Sequence, residues 1–136
     1  MRLLTLTAAA SLFAALPAFA ADKADVEARY SPQFHACMDN PANDSTMGMV
    51  DCIGAENTAQ DAKLNARYRT VMADLNAAQQ AKLKAAQRAW IAYRDAWCAA
   101  QQDEAWGSLS TIVANNCVLD MTIARTIDLE NYPPET

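Results

Sequence analysis

From Thr46 to about Leu75 the chain contains no proline, and Val50, Ile53, Asn57, Leu64, Tyr68, Val71 and Leu75 recur at intervals of three, four or seven residues. That spacing predicts one long amphipathic helix. Its stripe is broken by polar Asn57 and Gln60, and Gly54 lowers helix propensity by about 1 kcal/mol relative to alanine. Asn76 interrupts the run, after which "NAAQQAKLKAAQRAWIAYRDAWCAAQQDEAW" resumes a helical pattern with a stripe through Leu83, Trp90 and Trp97. Gly107 is expected to close that helix. A last helix, capped by Ser108 or Ser110, would carry Ile112, Val113, Cys117, Met121, Ala124 and Leu129 before "NYPPET" stops it. Upstream, Ser31-Pro32 opens a short helix containing Phe34, Cys37 and Met38, which ends in the turn-rich "DNPANDS". Residues 21–30 read as a frayed lead-in or the start of another short helix. The fold predicted is all-α: a small antiparallel bundle of three long helices plus a short N-terminal helix.

Residues 1–20 differ from this pattern. Arg2 is followed by an apolar run from Leu3 to Leu16, then by Pro17 and the small-x-small ending Ala18-Phe19-Ala20. This is the signature of a secretory signal peptide cleaved after Ala20. The run is shorter than the roughly 20 apolar residues a bilayer span needs, so no stable membrane anchor is expected. Residues 21–136 then form a single domain, whose ten basic and sixteen acidic side chains give a formal charge of −6. Such a balance opposes nucleic acid as a partner and favours encounter with basic proteins.

An even number of cysteines in a small exported chain reads as a disulfide framework, and four cysteines allow three pairings by counting alone. Cys98 and Cys117 lie at nearly equal distances on either side of Gly107, hence at similar heights on adjacent antiparallel helices. Cys37 and Cys52 straddle the 39–45 turn. The pairing preferred is therefore Cys37–Cys52 with Cys98–Cys117, a crossed pairing being the alternative.

The stretch "QRAWIAYRDAWCAAQ" concentrates unusual side chains. Trp90, Arg94, Trp97 and Cys98 share a broad helix face, which places a guanidinium inside an otherwise apolar surface. A buried charge needs partners. The expectation is a structural network in which Asp61 pairs with Arg94 or Arg125 while Asn65 and Gln87 complete the hydrogen bonding. Leu64, Tyr68, Trp90 and Trp97 are the expected core anchors.

Catalysis finds little support. Glu56 with Asp61 would be a carboxylate pair, but sixteen acidic residues make pairs unavoidable. The single histidine, His35, lies two residues from Cys37, and a bridged cysteine has no thiolate with which to attack. His35 with Met38, Met47 and Met49 would suit a soft copper ion, although methionine as a filler of core gaps is the plainer reading. No catalytic residue, metal or other cofactor is expected.

Taken together, Cys52, Glu56, Asp61, Leu64-Asn65 and Tyr68, followed by Leu83, "AQRAWIAYRD", Cys98, Gly107, Cys117 and Arg125, resemble the lysozyme inhibitor LprI-like N-terminal domain family over about residues 34–130. The resemblance implies an all-helical, disulfide-stapled domain of the periplasm or the secreted fraction, with lysozyme or another basic envelope protein as partner. Ser108 stands where the family often has a second glycine. The alternative is a structural or interaction domain of the cell envelope with a different partner and no lysozyme inhibition.

Overall fold

The computed structural model describes residues 21–132. The signal peptide read at 1–20 and the last four residues lie outside the described part. Five α-helices account for most of it: α1 (Lys23–Glu27), α2 (Pro32–Met38), α3 (Thr46–Ala73), α4 (Ala77–Ala99) and α5 (Ser108–Glu130). Single 3-10 turns, Pro41–Asn43 and Glu104–Trp106, precede α3 and α5. No strand occurs among the described residues. The all-α expectation holds, with three long helices, and the lead-in at 21–30 contributes a helix of its own.

Local chemistry explains where the helices begin. Ser31 caps α2 through the Phe34 N–H with Pro32 at the first position, Ser45 accepts from the Gly48 N–H at the start of α3, and Asn76 and Gln79 form a reciprocal capping box on α4. These caps satisfy amide groups that have no partner within the helix. The junction between α4 and α5 departs from expectation. α4 ends at Ala99, before the predicted stop, and Gly107 is the N-cap of α5 with no side-chain cap bond. Its φ of 55° and ψ of −135° suit glycine alone. Ser110 Oγ instead donates back to the Gly107 carbonyl at 2.8 Å.

Consecutive long helices are antiparallel, so α3 and α5 run parallel. Thr46 and Ser108 meet at their starts, 3.1 Å apart, and Arg67 Nε donates to the Leu129 carbonyl near their ends at 2.9 Å. α5 is the central helix, packed by α1, α3 and α4. One core cluster joins Val26, Phe34, Cys52 and Ile53 to Leu119, Ile123 and Ile127 of α5. A second joins Leu64 and Val71 to Leu83 and Leu129, with Tyr68, Met72, Leu75 and Trp90 packed against it. α4 reaches only the second cluster. Its contact stripe is Gln80, Leu83, Gln87, Trp90, Arg94 and Cys98, of which only Leu83 and Cys98 are fully buried.

The disulfides are Cys37–Cys52 and Cys98–Cys117, with Cα separations of 5.8 and 5.5 Å. The first fastens α2 to α3 and the second fastens the far end of α4 to α5. Each closes a loop for which chain entropy suggests about 3 kcal/mol.

Two glycines of α3 sit in opposite surroundings. A Cβ on Gly48 would lie 2.6 Å from the Asn43 carbonyl oxygen, because the first turn of α3 lies directly against the preceding 3-10 turn. A Cβ on Gly54 would meet nothing within 4 Å. Gly48→Ala is expected to destabilise by roughly 1–3 kcal/mol through overpacking. Gly54→Ala is expected to stabilise by up to about 1 kcal/mol. Urea unfolding of both variants checks the pair, and equal responses would contradict the close approach at Gly48.

Candidate functional site

The polar residues singled out above separate into three places. At the α4–α5 seam, Trp90 lies between two cations: the Arg94 guanidinium carbon is 5.1 Å from its ring centroid and that of Arg125 is 5.8 Å away. Both distances fall within cation–π range. Arg94 also donates to Asp95 Oδ1 at 2.8 and 2.9 Å and to the buried Thr122 hydroxyl at 3.3 Å. Arg125 donates to Gln87 Oε1 at 2.9 Å and pairs with Asp128 at 3.5 Å. Burial pushes the Asp128 carboxyl above the usual range, with Arg125 opposing it. The seam thus holds two guanidinium groups side by side because an indole face and two carboxylates share their charge.

Asp61 does not join this network. Its carboxylate accepts from Asn65 at 2.7 Å on its own helix and pairs with neither arginine. The buried seam of α3 passes through Ile53, Glu56, Gln60 and Leu64, and Asp61 is turned about 100° from Gln60. The acidic partners of the arginines are local, Asp95 beside Arg94 and Asp128 one turn from Arg125. Leu64 is buried and Tyr68 and Trp90 pack against the second core, whereas Trp97 is 52% exposed. A seven-residue repeat drifts by about 20° per heptad on an α-helix. Two heptads from Leu83, Trp97 has rotated off the seam and Cys98 has rotated into it.

Trp97 stacks on Tyr93, itself 58% exposed, with ring centroids 6.3 Å apart and planes inclined by 16°. The aromatic pair was legible as a spacing of four residues. Its exposure was not.

The second place is the docking of α2 on α3. The Glu56 carboxylate, almost fully buried, accepts from the Ser31 N–H at 3.0 Å, the Ser31 hydroxyl at 2.5 Å and Gln60 Nε2 at 2.6 Å. Gln60 also donates to the Arg29 carbonyl at 2.8 Å. Burial acts to raise the Glu56 pKa, but these hydrogen bonds outweigh it and the net shift is downward. A carboxylate held ionised in this way is a poor general acid. Nearby, Tyr30 donates to Asp120, which also accepts from Asn116 at 3.1 Å. Burial raises both the Tyr30 phenol and the Asp120 carboxyl, the latter against the stabilising Tyr30 hydrogen bond.

The third place is a cavity of about 180 Å³ between α3 and α5, with Arg29, Lys63, Arg67 and Glu130 among its lining residues. Arg29 is held bidentately by Glu130 at 3.0 and 2.7 Å, and Arg67 is committed to the carbonyls ending α5. At the methionine-rich turn, His35 is exposed beside Tyr30 and Phe34 and Cys37 is bridged. Among the described residues no group of three or more His, Cys, Asp or Glu side chains is placed to hold a metal ion.

These features define a disulfide-stapled, three-long-helix scaffold in which the part-buried charged groups, Glu56, Arg94, Asp120 and Arg125, are used in holding helices together. The comparisons agree with that class. The sequence pattern of the family described as Lysozyme inhibitor LprI matches residues 37–129, and the chain belongs to this family. A relative from Rhizobium meliloti (strain 1021), "Uncharacterized protein R02472", is 36% identical over 100 residues, covering 63% of this chain and 72% of its own length. No solved structure matches.

Two predictions follow from the geometry of the polar clusters. Because the folded Glu56 pKa lies below its unfolded value, its contribution is full above the unfolded pKa and is lost as pH falls through the folded one. Glu56→Gln is expected to lower stability at neutral pH by roughly 2 kcal/mol and to flatten the acid limb of the stability profile. Unfolding measured from pH 7 downward tests this, and an acid limb as steep as in the parent would contradict it. Trp90→Ala is expected to cost roughly 3 kcal/mol, while Trp97→Ala should stay within about 0.5 kcal/mol in dilute solution. Comparable losses at both positions would place Trp97 in the core after all.

Proposed function

We propose that this protein is a non-enzymatic binding domain of the cell envelope, exported to the periplasm, whose target is lysozyme or a related muramidase. The observation that carries the reading is membership of the lysozyme inhibitor LprI family over residues 37–129. Charge supports it, since an acidic domain accelerates encounter with a basic enzyme. No described helix is long and apolar enough to cross a membrane.

The end of the bundle where α3 and α5 begin suits such a contact. Met47, Trp106 and Leu109 are 70%, 55% and 55% exposed there, and Thr46 and Ser108 hold the two helix starts together. Asp44 and Asp103 flank them in sequence. An apolar centre with an acidic border is the anatomy of an interface with a basic partner.

A second reading, an envelope interaction domain with another partner, draws on the exposed stripe of α4 through Ala89, Tyr93 and Trp97, which carries no charged side chain and is not addressed by a basic enzyme's field. Lysis assays with chicken-type, goose-type and invertebrate-type lysozymes, paired with direct binding, separate the two. Saturable inhibition of at least one type is expected, weakened about 30-fold by Trp106→Ala if Trp106 is an anchor. Absence of binding across the panel would leave the second reading.

A further inference from the structure

Charge is sorted along the length of the bundle. The parallel register of α3 with α5 and the antiparallel return of α4 put residues 31–60 and 95–122 in one half, and residues 61–94 and 123–132 in the other. The first half carries eight acidic side chains and neither lysine nor arginine, whereas the second carries eight basic side chains against four acidic ones. Three of those four carboxylates are engaged, Asp61 by Asn65, Asp128 by Arg125 and Glu130 by Arg29. Lys63, Arg69, Lys82, Lys84 and Arg88, by contrast, are exposed, and none of them makes an ion pair among the described residues. The acidic overall balance therefore conceals a basic pole around the α3–α4 junction and an acidic pole where α3 and α5 begin. No large hydrophobic side chain is exposed among residues 61–90 or 123–132, so the basic pole is purely polar at its surface.

We propose that the basic pole is a peripheral contact for an anionic phospholipid bilayer, which holds the domain end-on with its acidic pole turned away. A folded protein partner is anchored by aromatic or aliphatic groups buried at the centre of the interface, and this pole has none to offer. Its cations are also spread around the helices, Lys63 and Arg69 about 120° apart on α3 and Lys82 and Lys84 about 160° apart on α4. A partner seated on one flank would miss half of them. A broad surface of mobile like charges laid across the end of the bundle reaches all of them, because each lysine or arginine contributes without a fitted pocket and its long apolar stem lets the charged head extend past the helix. The acidic pole fixes the orientation. α3 has 28 residues and is about 42 Å long, several times the Debye length of about 10 Å at 0.1 M salt, so its eight carboxylates escape repulsion only when they point outward. Met47, Trp106 and Leu109 then face away from the bilayer. The inference rests on export of the domain and not on the lysozyme target.

Cosedimentation of the mature protein with vesicles of equal parts phosphatidylcholine and phosphatidylglycerol is expected to show binding that high salt abolishes, while vesicles of phosphatidylcholine alone bind none. Combining Lys82→Gln, Lys84→Gln and Arg88→Gln should lower the partition coefficient about a hundredfold, at about fivefold for each charge, without altering the circular dichroism spectrum. Asp44→Asn with Asp103→Asn also changes the net charge but should shift binding less than about twofold, because both groups lie at the far pole. No binding to anionic vesicles, equal binding to both vesicle types, or a triple variant that binds as the parent does overturns the proposal. So does a gain from Asp44→Asn with Asp103→Asn as large per charge as the loss from the triple variant, since net charge and not the basic pole would then govern. Polyglutamate bound through the same three residues while vesicles stay unbound overturns it in favour of an acidic polypeptide. In vesicle-free solution the triple variant should inhibit lysozyme as the parent does, so failure on vesicles leaves the proposed target standing. Loss of that inhibition would assign the basic pole to the enzyme and overturn the bilayer as its partner.

Discussion

The arrangement depends on the burial of α5. Ser110, Ala114, Leu119, Thr122, Ile123, Thr126, Ile127 and Leu129 are all buried along it, too wide a spread for one flat face, so the helix must be covered from several directions. α3 covers it over much of its length, α1 and α2 close one core and the start of α4 closes the other. Thr122 and Thr126 are tolerated inside because their hydroxyls donate to carbonyls one turn earlier, at 2.7 and 3.1 Å. A helix with polar groups satisfied locally can be surrounded without leaving unpaired donors.

α4 is attached by a different balance of forces. It contributes Leu83 to the second core and Cys98 to a disulfide, and between these the contact is largely polar and cationic. Arginine suits such a place because its planar, weakly hydrated guanidinium lies over an aromatic face while still donating at its edge. The bridge limits how far the helix can move and the indole provides the middle contact. This division leaves most of the α4 surface free.

Much of this was legible in the sequence. Three long helical periods, the helix start at Ser31-Pro32, the break at Asn76 and the preferred cysteine pairing follow from spacing and elementary helix geometry. The first turns of α3 were harder to place because its interior positions include Glu56 and Gln60, polar residues whose burial depends on Ser31 and Arg29 far away in the chain. Arg94 was identifiable as needing a partner, yet the partner came from the adjacent residue and an aromatic face rather than from Asp61. Trp97 looked like core because heptad spacing was extended beyond the length over which it tracks a straight helix. Gly107 was recognisable as a break, but the left-handed backbone that makes it the start of α5 has no signature beyond the residue itself.

The contact between Ser31 and Glu56 has one further consequence. Ser31 is the cap of α2 and Glu56 lies one turn after Cys52 on α3, so this noncovalent clamp holds the start of α2 against the helix that carries its cysteine partner. Six residues later along the chain, the Cys37 thiol of the reduced protein is thereby confined near Cys52 at a raised effective concentration. Thiol–disulfide exchange depends on access between sulfurs. A buried carboxylate thus joins, without a covalent bond, the same two helices that the Cys37–Cys52 bridge fastens.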